Sequence, residues 1–414
     1  MEIRNDAVIF GILMLILALI FITSSSKNKG WKKFYTYVPP LLLCYFVPGF
    51  LNWPLGIVSP EDSQLYFVAS RYLLPASLVL FCLSIDLKGV LNLGPKALIM
   101  FFAATAGIVI GAPVALWISS MLFPDIKDAL PGEEIWRGLS TIAGSWIGGG
   151  ANQTAMKEIY KCSDALFSSM IIIDVLVANI WMGFLLYGAG RYHQIDKKLN
   201  ADNSSIDDLK KRVEDYSASI AKIPTSTDLF VILAIGFGAT AIAHLGSDFI
   251  TPKLERYHDF LLKYNLNSFT SGFFWLILIA TTIGLALSFT PLKRYEGAGA
   301  SKFGSVFIYI LVATIGMKMN FLEAFNNLHY FFIGAIWMAV HVSVLLIVAK
   351  IIKAPFFFVA VGSQANIGGA ASAPVVASAF STALAPVGVL LAVLGYALGT
   401  YAAIASTQLM QWTY

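Results

Sequence analysis

Gly144-Ser145-Trp146-Ile147-Gly148-Gly149-Gly150-Ala151-Asn152-Gln153-Thr154-Ala155 interrupts a long apolar run. Gly362-Ser363-Gln364-Ala365-Asn366-Ile367-Gly368-Gly369-Ala370-Ala371-Ser372-Ala373-Pro374 does the same 220 residues later. At that shift Ile147 falls on Ile367, Gly148 and Gly149 on Gly368 and Gly369, and Asn152 on Ser372. Glycine and proline loosen a helix, and irregular backbone survives at membrane depth only when protein buries it or it lines a polar cavity. Two such segments in matching places point to a transporter's binding site. Close packing of small residues between helices is the bland alternative.

The rest of the chain makes membrane depth the right setting. Of 414 residues, 57% are hydrophobic and 13% charged, against about 45–50% and about 25% in soluble domains. Such a chain cannot hide its apolar surface in a water-soluble core. A soluble enzyme, a disordered chain and a nucleic-acid-binding domain are excluded, and an all-α polytopic membrane protein is expected. Twelve apolar segments follow: Ala7–Thr23, Phe34–Leu51, Leu65–Ile85, Ala97–Phe123, Trp136–Ile159, Asp164–Gly190, Asp228–Leu245, Phe269–Phe289, Phe303–Met317, Tyr330–Ala349, Pro355–Phe380 and Leu384–Trp412. The first reads as a retained helix, not a signal peptide, because its basic cluster (Lys27, Lys29, Lys32, Lys33) follows it. Cys44, Cys82 and Cys162 have no disulfide or metal spacing and read as packing residues.

A polar stretch, residues 191–227, divides the chain into a first membrane repeat (1–190) and a second (228–414). It reads as a cytoplasmic linker, with Ser205–Ala221 as a short charged helix. The repeat extends outward from the motifs. Asp86 before the first pairs with Asn320 before the second at a shift of 234, and the loop Pro124 to Glu134 supplies the extra chain. Positive charge arbitrates topology. If both interrupted segments are re-entrant hairpins, 18 of the 28 basic residues fall on one side; if both cross, 12 do. The hairpin arrangement therefore gives two inverted-topology repeats.

Asp174 lies within Ile171-Ile172-Ile173-Asp174-Val175-Leu176-Val177. An ionisable group at that depth costs about 2.5–3.5 kcal/mol or more and usually has a functional reason. With Asn179 nearby on the same helix it suits a hard cation or a titrating proton; a carboxylate held structurally is the alternative. Ser145, Asn152, Gln153, Thr154, Ser363, Gln364, Asn366 and Ser372 form the polar set of the interrupted segments. Gly149, Gly150, Gly368 and Gly369 would let backbone approach a ligand. Half-helix N-termini suit an anion and free carbonyls a cation. His341 reads as a satisfied core histidine. No nucleophile, metal or nucleotide motif is visible, so the chain is expected not to be an enzyme, with no organic cofactor, and to draw on an ion gradient.

The order of a Gly-Gly/Asn-Gln segment, an Asp helix and a Gln-x-Asn-x-Gly-Gly segment resembles the DUF819 (YjcL-like) family. That family sits in a grouping with cation–proton antiporters, bile-acid sodium symporters and glutamate or citrate sodium symporters. The resemblance implies an elevator-type transporter and a homodimer. Residues 65–190 and 303–414 would be transport elements, and about 1–55 and 228–290 scaffold. It also implies a cation set of Asp174, Asn179, Gln364 and Asn366. Two departures stand out: Ala365 separates Gln364 from Asn366, and Asp174 has no adjacent second Asp. Broken helices cross the membrane in some of these relatives, so the resemblance leaves both geometries open. The expectation is a secondary transporter in the bacterial inner (plasma) membrane, coupled to Na⁺ ahead of H⁺. It would move a small organic solute, an anion such as a carboxylate or short peptide, with membrane lipid and the solute as partners and no nucleic acid. A cation–proton antiporter, and a channel or non-transporting receptor, are the alternatives.

Overall fold

A computed structural model of the chain describes residues 2–38, 40–58, 63–83, 90–91, 93–123, 126, 128–130, 133–201, 223–263, 267–318, 330–381 and 384–413. Asp86, Asn320 and the expected helix Ser205–Ala221 lie outside the described residues. The described residues are mostly helical, with one short antiparallel strand pair, Asp128–Leu130 and Glu133–Glu134, before the first interrupted segment. In the first half come α1 (Asp6–Ser24), α2 (Lys29–Tyr37), α3 (Pro40–Asn52), α4 (Leu65–Leu83), α5 (Pro95–Leu122), α6 (Ile135–Ile159), α7 (Asp164–Ala189) and α8 (Tyr192–Leu199). In the second come α9 (Ser226–Glu255), α10 (His258–Lys263), α11 (Gly272–Ser288), α12 (Ala300–Gly316), α13 (Phe331–Ile352), α14 (Phe356–Ile367), α15 (Gly369–Phe380) and α16 (Ala385–Thr413). Seven helices among the described residues are long and apolar enough to cross a membrane. The protein is an integral membrane protein.

Local chemistry sets the ends. The Asn5 side chain accepts from the N–H groups of Ala7 and Val8 at the start of α1, and Thr225 and Asp228 form a reciprocal capping box at α9. One expected segment, Phe34–Leu51, is two helices. Val38 is extended (φ −118°, ψ 100°), the conformation favoured before a proline, and Pro39-Pro40 withdraws two backbone donors.

The interrupted segments fold back on themselves. Along a straight helix Trp136 and Tyr160 would stand about 36 Å apart. Instead their rings are 5.7 Å apart, and Arg137 Nη1 donates to the Tyr160 carbonyl at 2.7 Å. Phe357 and Phe380 likewise meet at 5.3 Å. So α6 is hairpin 1, and α14 with α15 is hairpin 2. They enter from opposite ends. At its Asp164 end α7 meets Lys157 of hairpin 1; its other end packs Gly188 on Phe356 of hairpin 2, beside Asp196, which accepts from the Phe356 N–H at 2.7 Å.

Packing sorts the helices into two groups. In the first, α4 and α12 pack together and against α1, α3, α9 and α11. In the second, α5 crosses α13, and both hairpins pack with α7 and α16. Contacts between the groups are sparser and run chiefly through α4, α11, α6 and α16. The α5–α13 crossing is set by small residues: a Cβ on Gly107 would lie 3.2 Å from His341 Cα, and Trp337 Nε1 donates to the Ile108 carbonyl at 2.8 Å.

If α6 is a hairpin, single cysteines at Glu134 and Lys161 should label from one side of the membrane, and those at Lys353 and Ser381 from the other. Labelling of positions 134 and 161 from opposite sides would rule the hairpin out.

Candidate functional site

Each hairpin turns on a glycine that no side chain could replace without strain. Gly149 has φ +72° and Gly369 has φ +57°. They are the residues that the 220-residue shift pairs, and the pairing continues across both turns. A Cβ on Gly144 would lie 2.6 Å from the Asn152 carbonyl oxygen, and Gln364 Nε2 donates to Ser372 Oγ at 2.7 Å. In a straight helix residues eight apart are about 12 Å apart. The same two positions touch in both hairpins.

The tips meet on a residue that the motif analysis did not single out. Tyr396 of α16 lies 3.2 Å from where a Gly149 Cβ would be, through Cε1, and 3.5 Å from that of Gly369, through its hydroxyl. Its ring packs on Phe81 of α4 at 4.6 Å. The neighbouring glycines let α16 in. A Cβ on Gly395 would meet the Ile147 carbonyl at 2.9 Å and that of Ala365 at 3.3 Å, and one on Gly399 would meet Gly148 Cα at 2.5 Å. Gly395 and Gly399 form a Gly-x-x-x-Gly spacing, a legible sign of close helix approach. Asn152 is tied into the same seam: Nδ2 donates to the carbonyls of Gly148 (2.9 Å) and Tyr396 (3.3 Å), and Oδ1 accepts from Thr400 (2.5 Å). Space beside Gly150 is open. Gly149, Gly369 and Asn152 thus meet Tyr396, while Gln364 and Ser372 close around Gly368 at the turn of hairpin 2.

Asp174 has a different surrounding. Its carboxylate accepts from Ser145 Oγ (2.6 Å), Trp146 Nε1 (2.6 Å) and Gln153 Nε2 (3.0 Å). Two donors precede the turn of hairpin 1 and one follows it, so the carboxylate clamps both arms. Charge-assisted bonds of this kind are short and strong. The remaining expected residues lie outside both groups. Ser363 accepts from Trp181 Nε1 (2.8 Å) and contacts His341 Nε2 (2.8 Å), while His341 Nδ1 meets the Ala104 carbonyl at 3.1 Å. Asn366 bonds Thr105 (2.8 Å) and the carbonyls of Phe101 and Gly362. Asn179 and Thr154 each donate to a carbonyl four residues back. Asp174, Asn179, Gln364 and Asn366 share no partner among the described hydrogen bonds. One atom of that set is exceptional: Gln364 Oε1 is buried with no hydrogen-bond partner.

The family model described as "Protein of unknown function (DUF819)" matches residues 11–412. The chain belongs to the DUF819 family. A relative, the "Uncharacterized membrane protein YjcL" of Bacillus subtilis (strain 168), is 22% identical over 354 residues, 83% of this chain and 83% of its own. In this DUF819 chain both Gly-rich motifs and Asp174 fall inside the matched span.

Asp174→Asn tests the clamp. An amide has one acceptor oxygen for three donors and turns its own N–H₂ toward the others. The loss should be about 1–3 kcal/mol of stability, read as a lower melting midpoint in choline chloride, with no Na⁺ or K⁺ present. An unchanged midpoint would show that the three bonds hold nothing.

Proposed function

We propose that this chain is a cation-coupled secondary transporter, using Na⁺ ahead of H⁺, for a small organic anion such as a carboxylate or short peptide. One observation carries the reading: two hairpins from opposite ends turn on matched glycines against one tyrosine. Breaking a helix inside a bilayer frees backbone groups that hydrocarbon cannot satisfy, and that cost is accepted where those groups serve a ligand. The second arm of each hairpin starts at the junction and offers N–H groups suited to an anion. The first arm of each ends there with carbonyls suited to a cation.

Na⁺ needs oxygen ligands. Around Asp174 three N–H and O–H donors already occupy the carboxylate. Gln364 Oε1 is the oxygen that fits, with Ser372 Oγ beside it. In this reading Gln364 and Ser372 hold the ion, the glycine tips and Tyr396 hold the solute, and Asp174 keeps hairpin 1 in shape.

The two helix groups support an elevator motion. With hairpins counted as entering and leaving on one side, five crossings precede the linker and the second half runs inverted. In this reading the boundary between scaffold and moving body falls after α4 and after α12, where the two packing groups divide. The hairpin group would then slide along α4 and α11, with dimer contacts left to the other helices.

Thermal melting in detergent tests the site. Na⁺ should raise the midpoint over choline by several degrees, because ligand at about 100 times its Kd adds about 2.7 kcal/mol. Gln364→Ala should lose that shift, and sodium acetate, succinate or citrate should add to it where the choline salts do not. Equal midpoints in Na⁺, K⁺ and choline from pH 6 to pH 8 would contradict cation coupling.

A further inference from the structure

Where hairpin 1 opens, charged side chains from the two helix groups interlock. One Glu158 oxygen accepts from Arg71 Nη1 at 2.9 Å and the other from the Tyr66 hydroxyl. Lys157 Nζ reaches the Tyr66 hydroxyl at 3.2 Å and Asp164 Oδ1 at 2.8 Å. The Lys318 ammonium lies 4.5 Å over the Tyr66 ring. Lys157 and Glu158 are only 6% and 12% exposed. Arg71, Tyr66 and Lys318 come from the scaffold group; Glu158, Asp164 and Lys157 come from the hairpin group. Net positive charge therefore faces net negative charge across the seam.

The scaffold side is firmly mounted. Arg71 sits in a π-helical turn, Ala69–Leu73, inside α4, a local irregularity frequent at functional positions. Its guanidinium lies 4.3 Å over the Phe273 ring of α11, and its carbonyl bonds His244 Nε2 of α9 at 3.0 Å. Three scaffold helices thus aim one cation at Glu158. Other contacts across the seam are softer: Phe81 on Tyr396, Tyr45 on Phe167, Cys82 against Val393 and Ala397, and the hydroxyl pairs Thr281–Thr400 and Thr282–Tyr401. Apolar surfaces slide past one another, whereas a half-buried ion pair must be broken outright.

We propose that Arg71, Tyr66 and Glu158 form a latch that holds the hairpin group in the arrangement seen here and opens before that group moves. The proposal rests on the two-body transporter reading and adds the regulation of its motion. None of the three residues touches the hairpin tips, so the latch sets how often the body moves and not what it carries.

Cys82 is a built-in reporter, fully buried in the seam. In a Cys44→Ala/Cys162→Ala background, the rate at which N-ethylmaleimide labels Cys82 in membrane vesicles measures how often the seam opens. Losing one charged hydrogen bond shifts a two-state equilibrium about tenfold or more. Glu158→Gln should therefore speed labelling about tenfold, and the reversed pair Arg71→Glu/Glu158→Arg should return it toward the background rate. Equal, measurable rates in the background and in Glu158→Gln overturn the latch and leave the moving-body reading standing. Cys82 that labels only after SDS, in every variant, overturns both. A reversed pair as fast as Glu158→Gln also overturns the latch, since pairing would then not be the cause.

Discussion

A helix that breaks inside a bilayer must find partners for the carbonyls and N–H groups it frees, because hydrocarbon offers none. Both breaks here lie against the same element. Helix α16 presents Gly395 to the carbonyls of Ile147 and Ala365, Gly399 to Gly148, and the Tyr396 ring to both turning glycines. Asn152 from the hairpin side and Thr400 from α16 close the seam. A side chain larger than hydrogen at Gly395 or Gly399 would push α16 away from the breaks and leave them bare. The arrangement of the hairpins, and of the helices that hold them, follows from this one contact.

Asp174 meets the same constraint differently. A hairpin lacks the continuous ladder of a straight helix, so its arms need another tie. One carboxylate with three donors supplies it, two from the ascending arm and one from the descending arm. A buried charge is tolerated where its lone pairs are filled. Gln364 Oε1 is the opposite case, a buried acceptor left open beside a turn. The contrast between a carboxylate with three donors and an amide oxygen with none is the reason the proposed cation site is drawn at Gln364 and not at Asp174.

Much of this was legible in the residues. The shift of 220 named Gly149 and Gly369 as equivalents, and both turn at positive φ. Counting basic residues favoured hairpins over crossings, and the ends of both hairpins do meet. His341 reads as a satisfied core histidine and is one. Other features needed three dimensions. Tyr396 lies in a helix without charged residues, where the spacing of Gly395 and Gly399 marks it. Arg71 and Glu158 are 87 residues apart, and no periodicity links them. Ser363 and Asn366 sit in a motif that looks ligand-facing, yet the helix turns them toward His341 and Thr105. A one-dimensional motif cannot say which face of a short arm points at the tip.

The claim that the two tips form one ligand site is tested most directly by hydrogen–deuterium exchange of the peptides covering residues 144–155 and 362–373, compared in Na⁺ with sodium citrate and in choline chloride. Ligand bound at the junction should slow exchange in both peptides together, with Gln364→Ala abolishing the effect in both. Identical exchange in the two conditions, or protection confined to one hairpin, would contradict a shared site at Tyr396.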